Sequence, residues 1–285
     1  MEVERYDDAA AFFERTASFL ERNEAAHTFH LGLRGRLEED PHTFGPADPV
    51  LVAAFDGDTV VGIATQTPPY PAVLSLFDDL RGAEAIAERL HADGVALPGV
   101  MAPLDAGPAF VDRWCALTGA RAQVSLEERI YEATEVVPPR PTTGRMRPYT
   151  EADRDVVLRF MAEFYAEAMP GSPDPDPEEF LRRRLAETEG GLVLWEDGGE
   201  PVSLAGYGAP SPKAMRIGPV YTPPELRGRG YASALTAAVT ELVLSRGRRF
   251  CFLFTNLANP TSNSIYQKIG YRPVIDVNQW TFEQP

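Results

Sequence analysis

The segment Val220-Tyr-Thr-Pro-Pro-Glu-Leu-Arg-Gly-Arg-Gly-Tyr-Ala-Ser-Ala-Leu235 sets a basic, glycine-rich turn between two regular elements. Val220 to Thr222 favour a strand, Pro223-Pro224 ends it, and Ala232 to Leu244 repeats apolar residues at helical intervals. Within the turn, Arg227, Gly230 and Ala232 fit the pattern Arg/Gln-x-x-Gly-x-Gly/Ala. Gly228 and Gly230 open backbone conformations closed to other residues and let a ligand approach closely. The N–H groups of the turn and of the helix start then converge on one spot, where the helix dipole also favours negative charge. The result is an anion cradle suited to a pyrophosphate. It is not a dinucleotide fingerprint, because Ser233 stands at the third glycine, and not a P-loop, because no Gly-Lys-Ser/Thr follows. A plain strand-to-helix connection with surface arginines would use the same residue types.

A second cluster follows. Phe250-Cys-Phe-Leu-Phe-Thr255 is an apolar run of strand length bounded by Arg248-Arg249 and Asn256. Asn259-Pro260 opens a helix through Ile269, and Gly270 supplies its C-cap before Tyr271 enters another strand. The arrangement Asn259-x-x-Ser262-x-x-Ile265-Tyr266-x-x-x-Gly270-Tyr271, after the Arg-x-x-Gly-x-Ala turn, resembles the acyl-CoA site of the GNAT N-acetyltransferase superfamily over about residues 144–285. The resemblance implies a strand that splays from its neighbour, so that Val220, Tyr221 and Thr222 pair with the pantetheine arm of acetyl-CoA. It implies that Arg227, Gly228, Arg229, Gly230, Tyr231, Ala232 and Ser233 hold the pyrophosphate and that Asn259 contacts the cofactor. Tyr266 matches the tyrosine that touches the cofactor and protonates the departing thiolate. A phenol of reference pKa about 10 can hand a proton to a thiolate whose own thiol is of similar acidity. An aromatic that merely packs helix on sheet would stand at the same register.

One departure from the family pattern concerns the general base. Many members carry an acidic residue on the strand before the turn or on the next strand, whereas Ala214–Tyr221 and Phe250–Thr255 contain none. Glu163 and Glu167, on the first helix of this domain, are the candidates, and a solvated helix face is the alternative for both. Asp174 and Asp176, in the acidic loop Gly171–Pro177, lie where the family covers its acceptor site and could meet the substrate, with a plain solvated turn as the alternative.

The composition fits a soluble, cytoplasmic enzyme. With 285 residues the chain has room for one large or two medium domains. No apolar run is long enough to span a membrane, and the acidic N-terminus lacks the features of a secretory signal. Cys115 and Cys251 sit in apolar contexts and read as core residues of a reducing compartment. His27 and His30 share a helical turn without cysteine neighbours, so no metal is expected. A net charge of −15 argues against nucleic-acid partners and suits a cationic amine. Only two of the 27 basic residues are lysine, a bias that with the abundant alanine points to a GC-rich, bacterial genome.

The domain plan is legible. Val136-Val-Pro-Pro-Arg-Pro-Thr-Thr-Gly144 is a stiff connector, giving domains at 1–135 and 144–285 joined by a linker at 136–143. Leu51–Ala64 aligns without gaps on Leu192–Ala205, both reading as apolar hairpins around an Asp-Gly turn. Asp105–Arg121 can be laid on Asn256–Arg272. In that register Cys115 replaces Tyr266, Pro108 replaces Asn259, and Asp78, Asp79 and Glu84 occupy the zone of the lost turn. The expected fold is therefore α/β (α+β): two GNAT-like domains, each a mixed, mostly antiparallel sheet flanked by helices, the first degenerate and free of CoA. The expected function is transfer of an acetyl group from acetyl-CoA to a primary amine of a small molecule or peptide, by a monomer or homodimer. The alternative is a non-catalytic acyl-CoA-binding or sensing module.

Overall fold

A computed structural model describes residues 1–168, 176–208 and 211–285. Contacts divide it into two units, Met1–Ile130 with Val274–Pro285, and Tyr131–Pro273.

The first unit opens with β1 (Glu2–Tyr6), α1 (Ala9–Arg22) and α2 (Thr28–Glu39). Asp8 caps α1 by accepting from the Ala11 N–H at 2.7 Å. The expected hairpin forms as β2 (Val50–Asp56) and β3 (Thr59–Gln66), turning at Gly57. After β4 (Ala72–Leu74) come α3 (Arg81–Ala92), β5 (Gly99–Pro103), α4 (Ala106–Thr118) and β6 (Arg121–Ala133). β1 to β4 pair antiparallel in sequence order, and β4 pairs parallel with β5. Strand alternation gives the sheet two apolar faces. Val50, Val52 and Ala54 pack with Ile86 and Leu90 of α3 and Phe110 of α4, while Leu51, Ala53 and Phe55 pack with Phe12 and Phe13 of α1 and Leu37 of α2.

The second unit repeats the scheme. β7 (Arg145–Pro148) leads through a 3-10 turn at Glu151–Asp153 into α5 (Arg154–Ala168). The Thr150–Asp153 capping box forms as the sequence suggests. The Arg147 guanidinium, 2.7 and 2.8 Å from the Asp153 oxygens, holds that carboxyl down at about 2. This anchors the start of α5, the helix that carries Glu163. Next come α6 (Pro177–Ala186), β8 (Gly191–Asp197), β9 (Glu200–Gly208), β10 (Ala214–Tyr221), α7 (Tyr231–Ser245), β11 (Phe250–Asn256) and α8 (Pro260–Lys268). Leu192, Leu194, Leu204 and Tyr221 face α5 and α6; Val193, Ala205, Met215 and Ile217 lie in the core shared with α7 and α8. No helix among the described residues is long and apolar enough to cross a membrane.

The last strand, β12 (Arg272–Glu283), changes units at Val274. Its residues Val277–Thr281 pair antiparallel with Pro103–Gly99 of β5, and Trp280 and Phe282 enter the first unit's core. Burying each of these aromatics stabilises that unit by roughly 1.5–3 kcal/mol. Conversely, the last residues of β6, from Tyr131, belong to the second unit. Tyr131 is fully buried there, its hydroxyl donating to Asn263 Oδ1 at 3.1 Å and accepting from Gln267 Nε2 at 3.0 Å.

Candidate functional site

β10 and β11 run parallel but pair only through Ala214–Phe250, Met215–Cys251 and Arg216–Phe252, although β10 continues to Tyr221 and β11 to Asn256. On its other edge, β10 pairs with β9 up to Ile217 and again from Val220, with a bulge at Gly218-Pro219. Beyond Arg216, the backbone groups of β10 on the β11 side are therefore without a strand partner among the described residues. Such an edge can take an extended, amide-bearing ligand as an added strand.

The glycine-rich turn lies directly beyond this stretch. A 3-10 turn at Pro224–Leu226 follows the prolines, and Gly228 and Gly230 adopt φ of +77° and +89°. Gly230 is the N-cap of α7 and supplies no side chain to its first N–H groups, which suits an external anion. A Cβ at Gly230 would meet only Thr142, at 3.6 Å. Thr142 itself, on the linker, donates to the Arg229 carbonyl at 2.7 Å and so holds the turn in place. Tyr231 is buried at the start of α7 with its hydroxyl on Asp197, and Ala232 and Ser233 follow half-buried.

Arg227 already has partners within its own unit. Arg227 donates from Nε to the Thr222 carbonyl at 2.8 Å and from Nη2 to Glu167 at 2.6 Å, and its guanidinium lies over the Tyr221 ring. Its side chain thus braces the turn against β10 and α5. Thr222 is likewise engaged, its hydroxyl 2.8 Å from that of Ser203. Val220 is half-buried beside the gap.

Asn259 caps α8, accepting from the Ser262 N–H at 3.0 Å, so its carbonyl oxygen has a local duty. Tyr266 is buried with its ring centroid 6.3 Å from Tyr131 and 5.9 Å from Tyr271. Burial pushes its phenol up to about 12.

Residues 158–271 match the acetyltransferase (GNAT) family model. This part of the chain is a GNAT-family domain. None of the curated proteins matches the sequence. Among solved structures, a Drosophila protein is similar over 99% of this chain and 98% of its own, with 14% identity and a TM-score of 0.68. A GCN5-related N-acetyltransferase from Sphaerobacter thermophilus is 19% identical, covering 99% and 96%, with a TM-score of 0.60. A tandem GNAT protein from the clavulanic acid biosynthesis pathway is 15% identical, covering 99% and 98%, with a TM-score of 0.57. At these identities the likeness is one of fold, and it extends over the whole chain.

Carboxylates around the GNAT site divide into two kinds. Glu167, half exposed, is bound to Arg227. Glu163 lies beside the Tyr221 hydroxyl, and its Oε2 is buried with no partner. Burial, with Glu163 alongside, pushes the Tyr221 phenol up to about 12. Asp176 caps α6 by accepting from the Glu178 N–H at 2.9 Å, and Asp174 lies outside the described residues. Sequence reasoning missed a further pair near the bulge. Arg184 Nη1 is 3.0 Å from Glu187 Oε2, and Nη2 reaches the Gly218 carbonyl at 3.4 Å. The pattern i, i+3 across a helix end was its only sequence signal.

The corresponding zone of the first unit is filled by its own residues. The segment after β4 is fixed by Ser75 N–H to Ile63 O at 3.0 Å, Asp78 N–H to Val61 O at 2.8 Å, and Leu76 N–H to His27 Nε2 at 3.2 Å. Phe77 lies so close over Gly62 that any side chain there would collide with its ring. Asp79 accepts from the Arg81 N–H at 2.9 Å, placing a carboxylate at the start of α3 where the second unit has an open cradle. His27 and His30 are buried beneath this segment as neutral rings. Burial lowers both, His30 to about 3.

Proposed function

We propose that this chain is an N-acetyltransferase that moves an acetyl group from acetyl-CoA directly to a primary amine of a small molecule or peptide, as an enzyme of the cytoplasm. The observation that carries the reading is the unpaired end of β10 running into the uncapped, positive-φ start of α7. An amide-bearing arm ending in a pyrophosphate fits that sequence of open backbone groups followed by an anion cradle. Bound there, acetyl-CoA supplies an acetyl group already activated as a thioester. Val220, Tyr221 and Thr222 offer backbone groups to the arm. Gly228 to Ser233 offer N–H groups to the pyrophosphate, with Arg227 and Thr142 fixing the turn. Asn259 sets the start of α8, and that helix carries Tyr266, which holds a proton for the departing thiolate. The first unit, with its turn zone occupied by Phe77 and Asp79, is the degenerate copy and binds no CoA.

The direct test is a panel of primary amines, each incubated with protein and acetyl-CoA, with thiol release as the readout. Release that depends on the amine and saturates with it is the expected result. CoA binding without release for any amine, with only slow background hydrolysis, would instead assign a binding or sensing role.

A further inference from the structure

The general base has no candidate on β10 or on Phe250–Thr255, because neither run contains a carboxylate. The structure offers one from α5. Glu163 is packed against the face of β10 that carries Tyr221, in the part of the strand beyond its last pair with β11. Its carboxylate lies beside the Tyr221 hydroxyl. The Phe160 and Phe164 rings, 5.9 and 6.4 Å from that of Tyr221, make the surroundings apolar. Oε2 is buried without a donor, while the residue as a whole is only half-buried. A carboxylate oxygen left this way is costly unless a donor arrives, and the cost is greatest when the group is charged. Glu167, one turn further along α5, differs in each respect, being half exposed and paired with Arg227. Around the Tyr221 hydroxyl, the charged groups besides Glu163 are Arg227 on the turn and Glu167 on α5.

We propose that Glu163 is the carboxylate that receives the acceptor's ammonium group and takes its proton, with Tyr221 holding it in position. The inference rests on the acetyltransferase reading above. In the balanced step, the ammonium first gives one proton through Glu163 to solvent, and the freed amine nitrogen then forms a bond to the acetyl carbon as the carbon–sulfur bond breaks. The nitrogen's second proton also leaves through Glu163 to solvent, and Tyr266 gives its proton to the thiolate and is reprotonated from solvent. An acceptor of this kind is a cation before it reacts, so the site selects amines protonated at neutral pH over neutral amides or alcohols. A stored, unpartnered carboxylate also predicts that the ligand-free protein is less stable for having it.

The experiment compares wild type with Glu163→Gln, which keeps the shape and an acceptor oxygen for Tyr221, and with Tyr221→Phe. Three quantities are read: amine-dependent thiol release, CoA affinity by calorimetry, and the melting temperature without ligands. For Glu163→Gln the expected result is a kcat/KM for amine lower by about 10²–10⁴-fold. CoA affinity should stay within about twofold, the melting temperature should equal or exceed that of wild type, and rate should partly return above the amine's own pKa. Tyr221→Phe should give a smaller loss in the same direction. A Gln variant with wild-type kcat/KM overturns the proposal, and so does one that melts lower and binds CoA more weakly. If wild type releases thiol with no amine, the acetyltransferase reading fails on its own. The melting comparison then decides for Glu163, a lower value in the Gln variant refuting the stored carboxylate.

Discussion

Replacing Tyr266 by Phe removes one oxygen from a ring that is 9% exposed and packed against Tyr131 and Tyr271. The ring contacts survive, so the change isolates the hydroxyl. Burial raises the phenol from 10 to about 12. Its contribution to stability is therefore complete below pH 10 and is lost as the pH rises through 12. At pH 8 only about one molecule in ten thousand carries the phenolate, so the acid form is ready throughout the working range. The same shift makes Tyr266 a weaker acid than the conjugate thiol of the group it protonates, whose reference pKa is about 8.5. Transfer uphill by some units places its worth near the low end of the usual range for a general acid, about 100-fold or roughly 2.7 kcal/mol. Tyr266→Phe should then lower kcat about 100-fold with CoA affinity nearly unchanged, and the rate profile should show no limb from this group below about pH 11. Steady-state thiol release, with calorimetry for CoA, measures both. A full-rate variant refutes the acid role, and parallel loss of affinity and rate would assign Tyr266 to binding.

Three further outcomes are expected. Gly230→Asp should abolish CoA binding, because a carboxylate would enter a cradle built for phosphates; Gly230→Ala, which imposes the same positive-φ strain without charge, should weaken binding less, as titration calorimetry would show. Calorimetry of the intact chain should count one CoA, since Phe77 and Asp79 fill the corresponding zone of the first unit. His30 is held neutral with a pKa near 3 against 6.5 unfolded, so its contribution is present above pH 6.5 and lost as the pH falls towards 3. Between pH 7 and 4 the loss is about 3 kcal/mol, which urea titrations at the two pH values should register and which His30→Gln should reduce.

What could be read from the sequence was local. The hairpins around Gly57 and Gly198 announce themselves because apolar runs flank a turn that glycine alone takes easily, and Asn259-Pro260 marks a helix start because cap and first-turn chemistry are short-range. The turn at Gly228 and Gly230 was legible for the same reason. Arg227 was legible as a charge but not in its direction, since Glu167 lies 60 residues away and meets it only in the folded unit. Glu163 and Glu167 looked alike on a helical wheel; what separates them is the Tyr221 hydroxyl beside one and solvent against the other. Strand membership was the deepest omission. The period of two along β12 fits a place in either sheet, so nothing within Arg272–Glu283 names β5 as its neighbour.

That membership has a consequence for how the protein is made. The ribosome delivers β5 long before Val274, with Tyr131–Pro273 emerging in between. At about 5–20 residues per second the wait is roughly 9 to 34 s. Throughout it, β5 presents a bare strand edge, and the pocket for Trp280 and Phe282 stands open to water. The N-terminal unit thus cannot complete its fold first, as an ordinary leading domain would, and its final closure must follow synthesis of nearly everything else. A chain cut short before Val274 is left with an adhesive edge and an unfinished first unit.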